Sequence, residues 1–125
     1  MGAREDIAQE LTRRLDPLHR VDETVRRALG RIALLKQVPK VKCADGFMMS
    51  VQASEFHYCI PRDSQGPWSA VEVGFPSARE ELLMPWVEDQ SDPTETVYGF
   101  VPFETVVDVI AAHGGFAPAS EPVAA

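Results

Sequence analysis

The chain has 125 residues, of which 45% are hydrophobic and 25% are charged, and its formal net charge at pH 7 is -7. This length and composition fit one folded globular domain and exclude a chain that is disordered throughout. The negative net charge argues against direct binding to the phosphate backbone of nucleic acids, and no apolar run approaches the roughly 18 residues that a membrane span requires.

The first 37 residues are predicted to be helical. Ile7, Leu11 and Leu15 recur every four residues and so share one helical face, and Pro17 interrupts the pattern. A second helix is predicted over residues 22–37, where the apolar residues again follow a helical spacing. Its apolar stripe can pack on the sheet of its own chain, or it can pair with the same helix of a second copy and form a homodimer.

From residue 39 onwards the apolar residues recur with a period of two, which predicts strands. Asp45-Gly46 lies between two alternating segments and predicts a hairpin, because both residue types tolerate positive φ. Residues 56–60 are expected to extend the sheet, and residues 62–67 have the composition of a loop. Residues 68–75 are predicted to form the next strand.

A short helix is predicted after this strand. Ser77 and Glu80 have the spacing of a capping box, in which each side chain bonds to the backbone amide of the other residue. The helix is therefore expected to run from Ala78 to about Met84. The acidic residues that follow, 88–93, are expected to form a loop.

The last strand is predicted over residues 96–101. Pro102 suits the start of a closing helix, and Gly114-Gly115 suits its end, because a glycine readily adopts the left-handed conformation that terminates helices.

The order of these elements predicts an α+β fold. It consists of a mainly antiparallel sheet of about four strands, with the N-terminal helices and the C-terminal helix packed on one face. In this prediction, residues 1–37 form an N-terminal helical region, residues 38–115 form the α+β core, and residues 116–125 form a disordered tail.

No motif predicts catalysis, a metal or a cofactor. His57 and Cys59, with Cys43, give three candidate metal ligands without a recognised spacing. Ser54, His57 and Asp63 lie close in sequence, but no nucleophile elbow or oxyanion loop accompanies them. The glycines do not form a loop that could cradle phosphate. We therefore expect a protein that is not an enzyme and has no cofactor.

One segment is rich in the residue types that bind ligands or proteins: His57, Tyr58, Arg62, Gln65 and Trp68. The aromatic faces and the guanidinium could stack a base or hold a phosphate. They could equally form the contact region of a protein interface. In a third, purely structural interpretation, the aromatic rings close the core and Arg62 pairs with Asp63.

Charge is distributed unevenly along the chain. Residues 1–37 hold eight Lys or Arg and six Asp or Glu, whereas residues 77–108 hold one Arg and eight acidic residues. The second segment predicts an acidic surface that either keeps the protein soluble or competes for a basic groove on a nucleic-acid-binding partner. Its candidate partner-facing residues are Glu80, Glu81, Glu88, Asp89 and Asp92.

The cysteines and the N-terminus indicate the cellular compartment. Cys43 and Cys59 form neither a CxxC pair nor a disulfide framework. The first residues carry acidic side chains and lack an apolar core, so they do not predict a signal peptide. A reducing cytoplasm is therefore expected, in which both thiols stay free. A bridge between Cys43 and Cys59 on neighbouring strands is the less favoured alternative.

Several strings within residues 39–115 carry a family resemblance: DGFMMSVQAS, HYCIPR, GPWSAVEVGFPS and PTETVYGFVPFETVVDVIAAHGG. In these strings the chain resembles a family of small proteins encoded by tailed phages and prophages, and the leading helices lie outside the resemblance. The resemblance implies no catalytic residue. It implies a compact accessory protein that acts in the cytoplasm of an infected bacterium.

The function predicted on this basis is non-enzymatic inhibition of a bacterial defence system. In the first hypothesis the protein binds a defence effector protein, as anti-CRISPR proteins do, through its acidic surface. In the second it is a sponge that sequesters a nucleotide immune signal with Tyr58, Arg62 and Trp68. A structural or assembly component of a virion is a third alternative.

Overall fold

The computed structural model describes residues 2–17 and 37–118. Its helices and strands are, in chain order, α1 (Ala3–Leu15), β1 (Val41–Lys42), β2 (Met48–Gln52), β3 (Ala70–Gly74), a 3-10 helix (Glu81–Trp86), β4 (Val97–Pro102) and α2 (Phe103–Ala112). Of the second helix predicted over residues 22–37, all but Gln37 lie outside the described residues, as do residues 119–125 of the predicted tail. Within the described ranges, no helix is long and apolar enough to cross a membrane.

The four strands form one antiparallel sheet in the order β1-β2-β3-β4. The cross-strand partners that show the register are Val41 with Met49, Val51 with Val73, and Val71 with Val101. All six side chains are fully buried, so this register places one apolar face of the sheet against the core. The predicted α+β fold with an antiparallel four-stranded sheet is confirmed, and β3 and β4 lie where strands were predicted.

Helix α1 packs against α2 and contributes to the core. Ile7, Leu11 and Leu15, whose spacing predicted this helix, are all buried. At the exposed rim of the contact, Arg4 Nη2 lies 2.5 Å from Asp108 Oδ1 on α2. Because the apolar stripe of α1 is buried within its own chain, it is not available for the homodimer expected through the N-terminal helices. The other helix of that expectation lies outside the described residues.

The hairpin predicted at Asp45-Gly46 is present between β1 and β2. Gly46 has a φ of 99° and donates its amide to Cys43 O at 2.9 Å. Asp45 Oδ1 accepts from the amide of Phe47 at 2.9 Å. Of the two turn residues, Gly46 alone adopts positive φ, so the turn combines its backbone freedom with the side-chain acceptor of Asp45.

The closing helix α2 also ends as predicted. Pro102 is its N-cap, so the helix begins at Phe103, one residue later than expected, and His113 is its C-cap. Gly114 and Gly115 have φ values of 90° and 87°, and the amide of Gly115 donates to Ile110 O at 2.8 Å. The two glycines therefore satisfy the last carbonyl groups of the helix in the left-handed conformation.

The predicted capping box is wrong. Ser77 is not a helix cap: its amide donates to Met48 O at 2.8 Å, and its Oγ accepts from the amide of Met48 at 2.9 Å. Glu80 is the N-cap instead, with Oε2 accepting from the amide of Leu82 at 3.0 Å. The helix consequently starts at Glu81 rather than Ala78. The hydroxyl of Ser77 accepts from Met48 at the start of β2, a contact that sequence spacing does not reveal.

The prediction of a strand over residues 56–60 is also wrong for all of these residues except Ile60. The amide of His57 donates to Ser54 O at 3.0 Å, which closes a turn rather than a ladder. Ile60 alone forms a bridge, with Ala70 of β3. Ser54 starts this turn because its hydroxyl accepts from the amide of Phe56 at 3.1 Å and so competes with sheet pairing.

The disorder expected from residue 116 does not apply to the first residues of the tail. Phe116 forms a bridge with Cys43, and the amide of Ala117 donates to Lys42 O at 2.8 Å. These residues follow the glycine cap of α2 and return alongside β1, whose outer edge offers backbone partners.

Replacing Leu11 with Ala tests the packing of α1. Leu11 is fully buried in the core, so we expect the free energy of unfolding to fall by about 2–5 kcal/mol, measured by urea denaturation. Gln9→Ala on the exposed face of the same helix is the matched control and should change stability by less than about 0.5 kcal/mol. Equal effects for the two variants would contradict the docking of α1.

Candidate functional site

Four large apolar side chains that the core does not cover lie on the segment 56–60 and on β4. Their exposed fractions are 77% for Phe56, 39% for Tyr58, 50% for Ile60 and 45% for Phe100. The ring centroids of Tyr58 and Phe100 are 5.7 Å apart, and the amide of Phe100 donates to Tyr58 O at 3.0 Å. We refer to Phe56, Tyr58, Ile60 and Phe100 as the aromatic patch.

Phe100 is turned outwards by a β-bulge in β4. The pairs on either side of the bulge are Val73 with Tyr98 and Val71 with Val101. One residue of β3 therefore faces two residues of β4. Tyr98 and Val101 are both fully buried although they lie three positions apart, whereas side chains in a regular strand alternate every second residue. The extra residue allows both side chains to reach the core and leaves Phe100 outside it.

The backbone of Phe100 is strained by this arrangement. Phe100 has a φ of 57°, and Phe75, which follows β3, has a φ of 49°. A residue with a Cβ in this left-handed region costs about 1–2 kcal/mol, because the Cβ approaches the following carbonyl oxygen. Both side chains are nearly half exposed, so core packing gives only part of the compensation. Strained residues of this kind are typical of functional surfaces.

Gly99 allows the segment 56–60 to lie close to β4. A Cβ at this position would lie 3.3 Å from Tyr58 Cβ, which is closer than an ordinary contact. Arg62 Cζ lies 5.3 Å from the centroid of the Tyr58 ring, a cation–π arrangement. The predicted residues Tyr58 and Arg62 are thus brought together, with the guanidinium at the border of the aromatic patch.

The pairing of Arg62 with Asp63, which belonged to the purely structural interpretation, is not present. Asp63 Oδ1 accepts from the amides of Gln65 and Gly66, both at 3.0 Å, and so closes the loop that follows. Across residues 2–17 and 37–118, Arg62 forms no ion pair. Its charge can therefore interact with a carboxylate of a binding partner.

His57 belongs to the turn that carries the aromatic patch. Its Nδ1 lies 2.6 Å from Ser54 Oγ, the same hydroxyl that accepts from the amide of Phe56. Ser54 is buried, with 3% of its surface exposed. Ser54 and His57 thus stabilise the turn, and the carboxylate of Asp63 is engaged by the backbone of the next loop.

Gln65 and Trp68 lie at a different place, a cavity of about 320 Å³ between the end of α1 and the start of α2. The other described residues that line it are Thr12, Leu15, Asp16, Pro17, Pro67 and Phe103. Trp68 is nearly buried and its Nε1 donates to Asp63 O at 3.2 Å. Tyr58 and Arg62 do not line this cavity, so the five residues predicted for one binding site are separated.

Some of the residues predicted to form the acidic surface make ion pairs within the chain. Glu81 Oε2 lies 2.5 Å from Arg79 Nε, and the two acidic residues of α2 contact Arg4. Glu80 is largely buried and its Oε1 lies 2.6 Å from His113 Nε2. Glu80 is therefore engaged within the chain, whereas Glu81 pairs with Arg79 and stays exposed.

The remaining acidic residues form an acidic loop, which we define as residues 88–95, with Glu88, Asp89, Asp92 and Glu95. The amide of Glu88 donates to Val97 O at 3.0 Å and joins the loop to the start of β4. The hydroxyl and the amide of Ser91 donate to Asp89 Oδ1 and lower the pKa of Asp89. In the part of the chain that the structure describes, no Lys or Arg forms an ion pair with these four carboxylates.

The thiols are buried and free. Burial raises the pKa of Cys43 to about 11, and it also raises the pKa of Cys59. Thiols of this kind stay protonated at neutral pH and are poor nucleophiles. Among the residues that the structure describes, no group of three His, Cys, Asp or Glu side chains could hold a metal ion.

Reasoning from the sequence missed Phe56, Ile60 and Phe100. A weak signal for the bulge was present, because Gly99 lies inside a predicted strand and an isolated glycine in a strand often marks a bulge. No comparable signal predicted Phe56 and Ile60, whose segment was expected to be a strand.

Comparisons with known proteins give no assignment. No protein-family model matches the chain, and neither a curated protein nor a solved structure matches it. The resemblance to small phage and prophage proteins therefore stays a prediction from the sequence.

Replacing Phe100 with Ala and, separately, with Gly tests its left-handed backbone. Both variants lose the ring, but Ala keeps the Cβ that strains the backbone. We expect the Phe100→Gly variant to be more stable than the Phe100→Ala variant by about 1 kcal/mol in the free energy of unfolding, measured by urea denaturation. At Val97, a position of β4 where the structure shows no positive φ, the order should reverse because glycine is unfavourable in strands. A more stable Ala variant at position 100 would contradict the bulge.

Proposed function

We propose that the protein is a non-enzymatic binding protein that inhibits a bacterial defence effector by docking on it through the aromatic patch. The observation that carries this proposal is the outward-facing group of Tyr58, Phe100 and Arg62. Tyr and Arg are enriched among the residues that contribute most to protein interfaces. The strained backbone of Phe100 supports the same conclusion, since a glycine there would avoid the strain but lose the exposed ring.

The patch suits a protein partner better than a small ligand. Its rings lie on an open surface and do not line the cavity beside Trp68. Rigid aromatic side chains lose little conformational entropy when a partner covers them, and each buries a large apolar area. A matching partner would present an apolar depression for Phe100 and a carboxylate near Arg62.

The acidic loop supports a partner with a basic border. The loop joins the start of β4 at Val97, and Phe100 lies three residues further along the same strand. The patch and the loop therefore flank one strand, as the apolar centre and the charged rim of an interface do. Basic surfaces are typical of effectors that bind nucleic acids, and opposite charge would speed association.

The resemblance to phage and prophage proteins supports the proposed setting. In this setting the protein is an accessory protein of a phage or prophage and acts in the cytoplasm of the bacterial host. The net charge of -7 fits a protein that competes with nucleic acid for a basic surface rather than one that binds nucleic acid itself.

Inhibition of purified CRISPR effector complexes tests this proposal. We expect the wild-type protein to block target-DNA cleavage by at least one effector of a panel at near-stoichiometric concentration. Phe100→Gly should weaken inhibition at least about tenfold, because it removes a central ring while relieving backbone strain. Reversal of charge at Glu88, Asp89 and Asp92 should mainly slow association, with an effect that decreases at high salt.

Phe75→Gly is the matched control for this experiment. Phe75 has the same residue type, the same left-handed backbone and nearly the same exposure as Phe100, at 46% and 45%, but it lies outside the aromatic patch. The control should inhibit like the wild type. Absence of inhibition across the panel, or equal losses for the two glycine variants, would contradict the proposal.

Binding of a small ligand is a second candidate function, favoured by the cavity that Gln65 and Trp68 line. Its volume is at the lower end of the range of ligand pockets. None of the described lining residues is Lys or Arg, so the described lining offers no positive charge to the phosphates of a nucleotide signal. Arg62, the expected phosphate contact, does not line the cavity.

A thermal-shift screen with cyclic oligonucleotides and ADP-ribose derivatives tests this candidate. A ligand that binds the native state raises the melting temperature in proportion to its saturation. Gln65→Ala, which changes an exposed side chain of the lining, should reduce any such rise. An unchanged melting temperature across the screen would rule out the nucleotide sponge.

A further inference from the structure

His113 lies at the end of α2 between two carboxylates from other segments. Its Nδ1 is 2.6 Å from Asp45 Oδ2, and its Nε2 is 2.6 Å from Glu80 Oε1. The imidazole also stacks on the ring of Phe47, with centroids 4.2 Å apart and an interplanar angle of 11°. The ring is therefore held in place on both edges and on one face.

Only a charged imidazole can donate to both carboxylates at once. A neutral imidazole has one N–H donor and one lone pair, whereas the imidazolium ion donates from both nitrogens. Carboxylates only accept, so in the neutral ring one nitrogen lone pair would face a carboxylate oxygen at 2.6 Å. The position of His113 as the C-cap of α2 adds to this preference, because the C-terminal end of a helix favours a positive charge.

The two carboxylates come from different parts of the fold. Asp45 lies in the turn between β1 and β2, and its amide also donates to His113 O at 3.2 Å. Glu80 is the N-cap of the 3-10 helix, which leads into the acidic loop. His113 thereby connects α2, the hairpin turn and the 3-10 helix.

We propose that His113 is a proton-dependent clasp: while its imidazole is charged it binds Asp45 of the β1–β2 turn and Glu80 of the 3-10 helix together, and when it is neutral it can donate to only one of them. This inference does not rest on the proposed function. It describes a pH-sensitive device in the fold that lies next to the segment carrying the acidic loop.

The charges around His113 give the direction of the pH dependence. Burial lowers the pKa of His113, but Glu80 and Asp45, the charged groups that act on the ring in the described segments, raise it more, so that it lies above 6.5. A group whose pKa is raised by folding stabilises the native state fully below its unfolded pKa, and this stabilisation is lost as pH rises through the folded pKa. The clasp should therefore open above pH 6.5 rather than below it.

The pKa of Asp45 sets the low pH at which the contact between Asp45 and His113 is lost. The amide of Phe47 and the side chain of His113 lower the pKa of Asp45 below 3.8. Its contribution is present above its unfolded pKa and is lost as pH falls through the lower folded pKa. The clasp is accordingly closed over the mildly acidic range and opens towards alkaline pH.

Titration of the histidine signals by NMR of the full chain tests the clasp. Comparison with His113→Gln identifies the His113 signal, whose midpoint should lie above 6.5. Asp45→Asn and Glu80→Gln keep an oxygen that can accept the backbone amides but remove one charge, so each should lower the midpoint. Glu81→Gln is the matched control, because Glu81 pairs with Arg79 and should leave the midpoint unchanged.

Thermal unfolding as a function of pH gives a second measurement. Between pH 6 and pH 9 the melting temperature of the wild-type protein should fall by about 3 °C or more beyond the fall seen in His113→Gln. The variant serves as the reference because it has no titrating group at this position. A midpoint at or below 6.5, or the same pH dependence in both proteins, would overturn the clasp. Neither result would bear on inhibition of an effector, which is measured at a fixed pH.

Discussion

The surface of this protein depends on one constraint in β4: Tyr98 and Val101 must both point into the core although three positions separate them. A regular strand cannot satisfy this requirement, because its side chains alternate every second residue. The bulge adds one residue and resolves the conflict. As a consequence Phe100 adopts a left-handed backbone, and its ring lies outside the core against Tyr58. The packing of the core thus determines which residue the surface displays.

The same constraint shapes the candidate binding surface. The segment 56–60 lies against β4 because Gly99 leaves no side chain in its path, and the amide of Phe100 bonds to Tyr58 O. Arg62 then stacks on Tyr58, so a positive charge borders the exposed rings. These contacts support the proposed docking surface. The buried thiols with raised pKa values and the turn-forming role of Ser54 and His57 agree with this proposal.

Charge has different roles in different parts of the molecule. Arg4 ties α1 to the acidic residues of α2, and His113 ties α2 to Asp45 and Glu80. All of these acidic residues except Asp45 belong to the strongly negative segment 77–108, yet each contacts a basic side chain of its own chain. Within residues 77–108, only the carboxylates of the acidic loop form no ion pair with another described residue. A charge count along the sequence therefore overestimates the acidic surface that a partner could contact.

Local patterns in the sequence determined the class of fold. The spacing of Ile7, Leu11 and Leu15 predicted α1, Asp45-Gly46 predicted the hairpin, and Gly114-Gly115 predicted the end of α2, because each depends on residues that are neighbours along the chain or on one helical face.

Tertiary structure decided the rest, because the deciding partners are distant in sequence. Ser77 bonds to Met48 instead of capping a helix, and Glu80 meets His113 across 33 positions. The exposure of Phe100 follows from how β3 and β4 pair around the buried Tyr98. Trp68 lines a cavity that Tyr58 and Arg62 do not reach. Sequence alone could name the residue types of a binding surface, but only the packing of the sheet could say which of them lie together.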